Sequence, residues 1–122
     1  MSSFIGEKKY EHGSPDKTGI LLTNLGTPDA PTSKALKPYL KEFLSDPRVI
    51  EVPKIIWQII LRMVILQTRP RKSAKSYKSI WTEKGSPLLE ISKKQLNAIK
   101  SELELQGKNI VVELGMRYGN PS

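Results

Sequence analysis

Two short apolar runs, one near each end of the chain, restrict the fold most. The first covers Ile20 to Leu25 and ends abruptly at Gly26-Thr27-Pro28-Asp29. The second covers Asn109 to Met116, and we predict that the following residues, Arg117 to Pro121, form a loop. Short apolar runs bounded by turn residues are typical of parallel-sheet strands that are buried on both faces. The pattern therefore predicts two strands with the rest of the chain between them.

Between these runs, apolar side chains recur at helical spacing. Pro38 either delays the start of the first helix or kinks it. The sequence predicts three helices. The first is capped by Thr32 or Ser33 and stopped by Asp46-Pro47, and the second is opened by Pro53. The third, with Ser86 as its N-cap and Pro87 as its first residue, continues from Leu88 to about Leu105 and is ended by Gly107. The order strand, helices, strand predicts a right-handed crossover in an α/β sheet. Because two strands do not make a stable sheet alone, we expect part of a doubly wound parallel-sheet lobe that is incomplete in this chain.

The chain has 122 residues, with 20 lysines and arginines against 12 acidic residues, a net charge of +8. A positive surplus favours anionic partners: nucleic acid, anionic lipid or a small carboxylate-bearing molecule. The absence of cysteine excludes disulfides, thiolate metal sites and a cysteine nucleophile from this segment. We expect residues 1–16, which lack the apolar core of a signal peptide and contain His12, to form a flexible tail before a domain at 17–122.

The run from Ile55 to Leu66 is almost wholly apolar, and only Gln58 and Arg62 interrupt it. It is too short to span a bilayer, which needs about 20 residues. Three interpretations remain: a core helix of a larger domain, a subunit contact, or an interfacial membrane helix. Of these, we favour the core helix of a larger domain.

A basic stretch follows from Arg69 to Lys84 and includes Tyr77 and Trp81. It could be a nucleic-acid face, because basic patches with aromatic side chains bind nucleic acid. The aromatic residues keep the spacing of a buried helix side, which favours a solvated basic face with its rings turned to the core.

Ligands of open parallel sheets bind beyond the carboxyl ends of the strands. The loops predicted there contain Leu25 to Asp29 and Arg117 to Asn120. Arg117 offers a fixed charge for a carboxylate, and Tyr118 offers a flat ring for an aromatic ligand. A surface ion pair beside a packed tyrosine fits the spacing equally well. No glycine-rich nucleotide fingerprint is present.

Four strings, KTGILLTNLGTPDAPT, FLSDPRVIEVP, GSPL and GMRYGNPS, closely resemble the opening part of ferrochelatases, especially those of Gram-negative bacteria. They occur in order, and the resemblance that they carry extends from residue 17 to residue 122. The resemblance implies a chelatase-like fold of two doubly wound lobes around a porphyrin cleft. It implies a lyase that inserts ferrous iron into protoporphyrin IX to form protoheme in heme biosynthesis.

The resemblance also assigns substrate-binding roles. Leu25 would lie against the porphyrin face, Arg69 would approach a propionate, Tyr77 and Ser86 would belong to the same wall, and Arg117 and Tyr118 would lie near the metal-insertion site. Ile55 to Leu66 would form the lip of the cleft, which touches the bilayer in membrane-bound members. The implied location is cytoplasmic, with a peripheral contact to the inner membrane.

The family's catalytic histidine and its partner glutamate lie in a later portion that this chain lacks. We therefore expect no catalytic residue, resident metal or cofactor in this segment, with ferrous iron as a substrate, and we expect the isolated chain to be inactive. The expected partners are the porphyrin and a membrane surface rather than nucleic acid. The alternative hypothesis is a small basic nucleic-acid-binding domain.

Overall fold

A computed structural model describes residues 11–13 and 15–122, so most of the tail expected at 1–16 lies outside the described residues. The elements of the described part are β1 (Thr18–Thr27), α1 (Ser33–Ser45), α2 (Lys54–Ile60), a π-helical turn (Leu61–Ile65), α3 (Leu66–Ile80), α4 (Pro87–Leu105) and β2 (Ile110–Gly119). This order confirms the predicted α/β class.

The two strands pair in parallel, from Thr18 opposite Ile110 to Thr27 opposite Gly119. Both are longer than predicted: β1 continues through Gly26 and Thr27, and β2 contains Arg117 to Gly119, so the prediction of loops there is wrong. Gly26 explains the extension, since its φ is +112° and a Cβ there would lie 1.8 Å from the Tyr118 carbonyl oxygen. Only glycine lets the two backbones approach so closely.

The prediction that the strands are buried on both faces is also wrong for this chain. Val112, Met116 and Tyr118 point to one face and are buried, whereas Leu21 and Leu25 point to the other and are 65% and 52% exposed. Helices α4 and α1 both contact the buried face, α4 through the Asn24–Ser92 hydrogen bond and α1 through the Phe43–Tyr118 ring contact. One helical layer therefore covers one side of the sheet.

Helix α1 begins at a side-chain cap and carries the main apolar cluster. The Thr32 hydroxyl accepts the Ala35 N–H at 3.2 Å, which settles the cap in favour of Thr32. Pro38 lies inside the helix, so it does not delay the start. Leu36 and Tyr39 form the buried cluster with Tyr118 of β2. This packing fixes the end of β2 against α1.

Helices α2 and α3 follow each other through the π turn, a feature that the sequence pattern did not predict. The π turn immediately precedes the turn containing Pro70, which cannot donate a helical hydrogen bond. Within this segment the run Ile55–Leu66 is largely uncovered, since Ile55, Ile59 and Met63 are 79%, 59% and 72% exposed, and the three interpretations of what covers it stay open. Within the described residues, no helix is both long enough and apolar enough to cross a bilayer.

Helix α4 begins at Pro87 after Ser86, as predicted, and ends before Gly107. There, the N–H groups of Gly107 and Lys108 donate to the carbonyl oxygens of Glu104 and Leu103. This pair of bonds, with Gly107 at φ +67°, is a Schellman motif. It turns the chain from α4 into β2.

Candidate functional site at the carboxyl end of the sheet

The carboxyl ends of β1 and β2 lie side by side and border an open groove of about 930 Å³. Residues of both strands line the groove, which brings together Leu25 and Arg117. Its other lining residues include the apolar Leu21, Leu114 and Met116 and the acidic Glu42 and Glu113. Apolar walls suit an apolar ligand, and Arg117 is the cation of the described lining that can meet a carboxylate on it.

Asp46, directly after α1, joins the two residues predicted near the metal-insertion site. Its Oδ2 atom accepts from Arg117 Nη2 at 2.5 Å and from the Tyr118 hydroxyl at 3.0 Å. Its Oδ1 atom accepts the Arg48 backbone N–H at 2.9 Å. The Asp46 side chain is only 7% exposed, so its charge is paired in a nearly buried position. The sequence pattern assigned Asp46 only to the end of a helix, because nothing in the local spacing places it beside β2.

The hydrogen bonds fix the protonation states of this group. The Arg48 backbone N–H, helped by the Tyr118 hydroxyl and the Arg117 charge, lowers the pKa of Asp46. Burial, together with the hydrogen bond to Asp46, raises the pKa of Tyr118. At neutral pH Asp46 is therefore a carboxylate and Tyr118 a neutral phenol that donates to it.

Arg117 is paired but remains accessible. Its side chain is 53% exposed, and its Cζ atom lies 5.1 Å from the centroid of the Tyr118 ring. A guanidinium has five N–H donors, and one carboxylate oxygen does not occupy all of them. The geometry thus contains the ion pair beside a packed tyrosine and still leaves Arg117 able to meet a ligand carboxylate.

A second polar group holds the end of β1. The Thr27 hydroxyl donates to the Ser86 hydroxyl at 2.8 Å, and the Tyr39 hydroxyl donates to the Gly26 carbonyl oxygen at 3.2 Å. Ser86 is buried and makes no side-chain cap for α4, in contrast to the predicted N-cap. Burial is also the main cause of the raised pKa of Tyr39, so that its phenol stays protonated. These bonds clamp β1 between α1 and α4.

The remaining predicted site residues lie elsewhere. Tyr77 is half-buried and meets Tyr39 edge-on, with ring centroids 6.4 Å apart, while Arg69 is exposed on α3. Ser86 borders a smaller hollow of about 350 Å³. The described lining of the large groove includes none of these three residues, so this segment brings together Leu25 and Arg117, with Tyr118 behind them.

Tyr77 packs against the apolar cluster, which confirms that this ring turns to the core. Within residues 11–13 and 15–122, no three His, Cys, Asp or Glu side chains gather closely enough to hold a metal ion.

The comparisons with known proteins agree with each other. The ferrochelatase family model matches residues 17–122. The ferrochelatase of Idiomarina loihiensis is 58% identical over 120 residues, which cover 98% of this chain and 33% of that protein. That of Alcanivorax borkumensis is 56% identical over 121 residues, covering 98% of this chain and 36% of that protein. The chain thus spans about a third of the length of these curated relatives. It belongs to the ferrochelatase family.

Proposed function

We propose that the whole protein carrying this segment is a ferrochelatase that inserts ferrous iron into protoporphyrin IX, and that this segment forms one wall of the porphyrin cleft. One observation carries the proposal: the strand ends border an apolar groove in which Leu25 and the half-exposed Arg117 lie together. Family membership supplies the reaction class.

The substrate's chemistry accounts for the residues at this wall. A porphyrin is a large flat apolar ring with carboxylate tails, so it needs apolar surface and a few arginines and hydroxyls. In our proposal Leu25 lies against the ring. Arg69, outside the groove that Leu25 borders, binds a propionate, and Tyr77 and Ser86 belong to the same propionate-binding part of the cleft.

The reaction requires orientation more than redox chemistry. As ferrous iron enters the ring, two protons leave the pyrrole nitrogens, and the oxidation state of the iron does not change. The segment's contribution is to hold the macrocycle, with Arg117 and Tyr118 near the insertion site. The base that accepts the protons is supplied by residues outside this segment, so we propose that the 122-residue chain alone is inactive.

We also propose a peripheral membrane contact for this cytoplasmic protein. The exposed apolar side of α2 and the π turn, with Ile55, Ile59 and Met63, lies next to the cations Lys54 and Arg62. Apolar side chains flanked by cations are typical of helices that lie in the interface of an anionic bilayer.

The test is a porphyrin fluorescence titration and an iron-insertion assay on the whole protein. Leu25→Glu should weaken porphyrin binding on the order of tenfold, because it places a charge against an apolar ring. The control Leu105→Glu makes the same change at a residue that is 83% exposed at the end of α4. No binding and no insertion by the wild type would overturn the proposal. Salt-sensitive DNA binding in their place would favour the nucleic-acid hypothesis.

A further inference from the structure

Asp46 collects more hydrogen bonds than any role in ending α1 requires. Its carboxylate accepts from Arg48, Arg117 and Tyr118. The last two residues lie 71 and 72 positions further along the chain, at the end of β2. Within the turn after α1, the Asp46 carboxylate accepts only the Arg48 N–H, and the Asp46 backbone carbonyl oxygen accepts the N–H groups of residues 49 and 50. The bonds to β2 therefore call for a different explanation.

The direction of Arg117 gives that explanation. Consecutive residues of a strand point to opposite faces, and Tyr118 points to the buried face. Arg117 consequently starts on the open face, yet its guanidinium turns back over the Tyr118 ring to reach Asp46. A free arginine side chain would sample many rotamers across the groove. The carboxylate holds the charge at one end of the groove.

We propose that Asp46 is a positioning residue, which fixes the Arg117 guanidinium and the Tyr118 hydroxyl at the porphyrin wall. The inference rests on the proposed function, and it adds a residue that touches neither the porphyrin nor the iron. Asp46 acts through the direction it gives to Arg117 and Tyr118. Its loss should therefore disturb the reaction even if the fold is preserved.

The variant Asp46→Asn separates positioning from the local turn. The asparagine Oδ1 atom still accepts the Arg48 N–H, so the turn after α1 is retained. Its amide group, however, replaces an acceptor by a donor opposite Arg117 and Tyr118, which are themselves donors. The matched control is Glu90→Gln, which removes a carboxylate 2.9 Å from Lys94 on α4.

Steady-state iron insertion by the whole protein is the first measurement. Asp46→Asn should lower kcat on the order of tenfold with little change in the porphyrin KM, because misoriented groups affect the transition state most. Asp46→Asn combined with Arg117→Ala and Tyr118→Phe should be no slower than the double variant Arg117→Ala/Tyr118→Phe alone. Glu90→Gln should keep the wild-type rate. If Asp46→Asn lowered kcat in the double variant by the same factor as in the wild type, Asp46 would act independently of both residues, and the inference would be overturned.

A second measurement does not depend on activity. Fluorotyrosine placed at position 118 reports the phenol pKa by ¹⁹F NMR, and Asp46→Asn should lower that pKa by removing an acceptor and a negative charge. An unchanged Tyr118 pKa would show that the contact with Asp46 is not formed, and it would overturn the inference. The proposed function would still be supported if the wild type inserted iron. A lowered Tyr118 pKa with an unchanged kcat would show that Asp46 contacts Tyr118 without positioning it, and this result too would overturn the inference but not the proposed function. A wild type that inserts no iron would instead overturn the function, and this inference with it.

Discussion

At the carboxyl end of the sheet, Arg117 and Tyr118 both donate hydrogen bonds to the Asp46 carboxylate. On the outer side of α2 and the π turn, by contrast, Ile55 and Met63 are 79% and 72% exposed. The difference follows from the chemistry of each region. A buried charge is tolerated only when its partners are present, so this segment supplies them itself. Exposed apolar side chains need only a cover of matching character, which another surface can provide. The first region is thus defined by internal geometry and the second by what lies against it.

The largest effect should come from the backbone contact that aligns the first region. Gly26→Ala would place a Cβ 1.8 Å from the Tyr118 carbonyl oxygen at a φ of +112°. We expect a loss of about 3 kcal/mol or more in the free energy of unfolding, since strain and clash add. The control is Gly19→Ala in the same strand, where the added Cβ would meet only the Val111 carbonyl oxygen of β2, at 4.0 Å. Urea unfolding of the whole protein, followed by tryptophan fluorescence, measures both; equal midpoints would mean that the strands can separate here at little cost.

Next in size is the loss of membrane affinity when the second region is made polar. Replacing Ile59 and Met63 by glutamate should weaken binding to anionic vesicles on the order of a hundredfold, because two apolar side chains no longer enter the bilayer. The control replaces Ile91 and Leu105 of α4 by glutamate, an equal change of charge at residues that are 54% and 83% exposed. Co-sedimentation measures the bound fraction. If both pairs weaken binding equally, charge alone explains the loss and α2 is not the contact.

The two regions also differ in how much the sequence predicts. Local patterns are enough for Thr32 as a cap, Pro87 as a helix start and Gly107 as a helix end, because each signal acts within a few residues. They fail for Asp46, whose partners Arg117 and Tyr118 lie far along the chain. No periodicity encodes such a pairing. The predicted site residues were taken from a resemblance, and the structure adds the residue that connects two of them.

Hydrophobic spacing predicted the helix at Ile55–Leu66 but not its environment. An apolar run reads the same whether a core, a subunit or a bilayer covers it. The π turn is not visible in the pattern for a related reason: one extra residue rotates the following turn by about 100°, but a run that is apolar on nearly every side does not record the rotation. Strand length was underestimated because the glycine at position 26 was taken to end β1, whereas it lets the pairing continue.

A smaller effect should distinguish propionate binding from the chemistry near Arg117. Arg69→Ala should raise the porphyrin KM about tenfold to a hundredfold with little change in kcat, because a charged hydrogen bond to an unreactive group contributes about 1.5–3 kcal/mol. Arg117→Ala should mainly lower kcat. Iron insertion with porphyrin varied at saturating iron measures both. A strong fall in kcat for Arg69→Ala at constant KM would mean that Arg69 does not bind a propionate.

The smallest effect concerns the joint between the two regions. Trp57 of α2 donates its indole N–H to the Leu44 carbonyl oxygen at 2.6 Å, and Leu44 lies two residues before Asp46. Trp57→Phe should cost about 1 kcal/mol, because one carbonyl group loses its partner while most of the ring packing remains. Amide exchange in the peptide 54–66 of the whole protein should then rise about fivefold.

Trp81→Phe provides the control, since it trims a second half-buried indole that packs against Tyr77. If the two substitutions change exchange in the peptide 54–66 equally, the bond to Leu44 does not tether α2. If only Trp57→Phe does so while exchange in β2 is unchanged, the apolar lip moves independently of the Asp46 group. The outer region could then adjust to a membrane without displacing Arg117 and Tyr118, because the hydrogen bonds from Trp57 to Leu44 and from Gln58 to Ser45 would act as a hinge between α2 and α1. If Trp57→Phe instead raised amide exchange in both the peptide 54–66 and β2, the two regions would form one rigid unit. Membrane binding would then alter the geometry of the porphyrin wall.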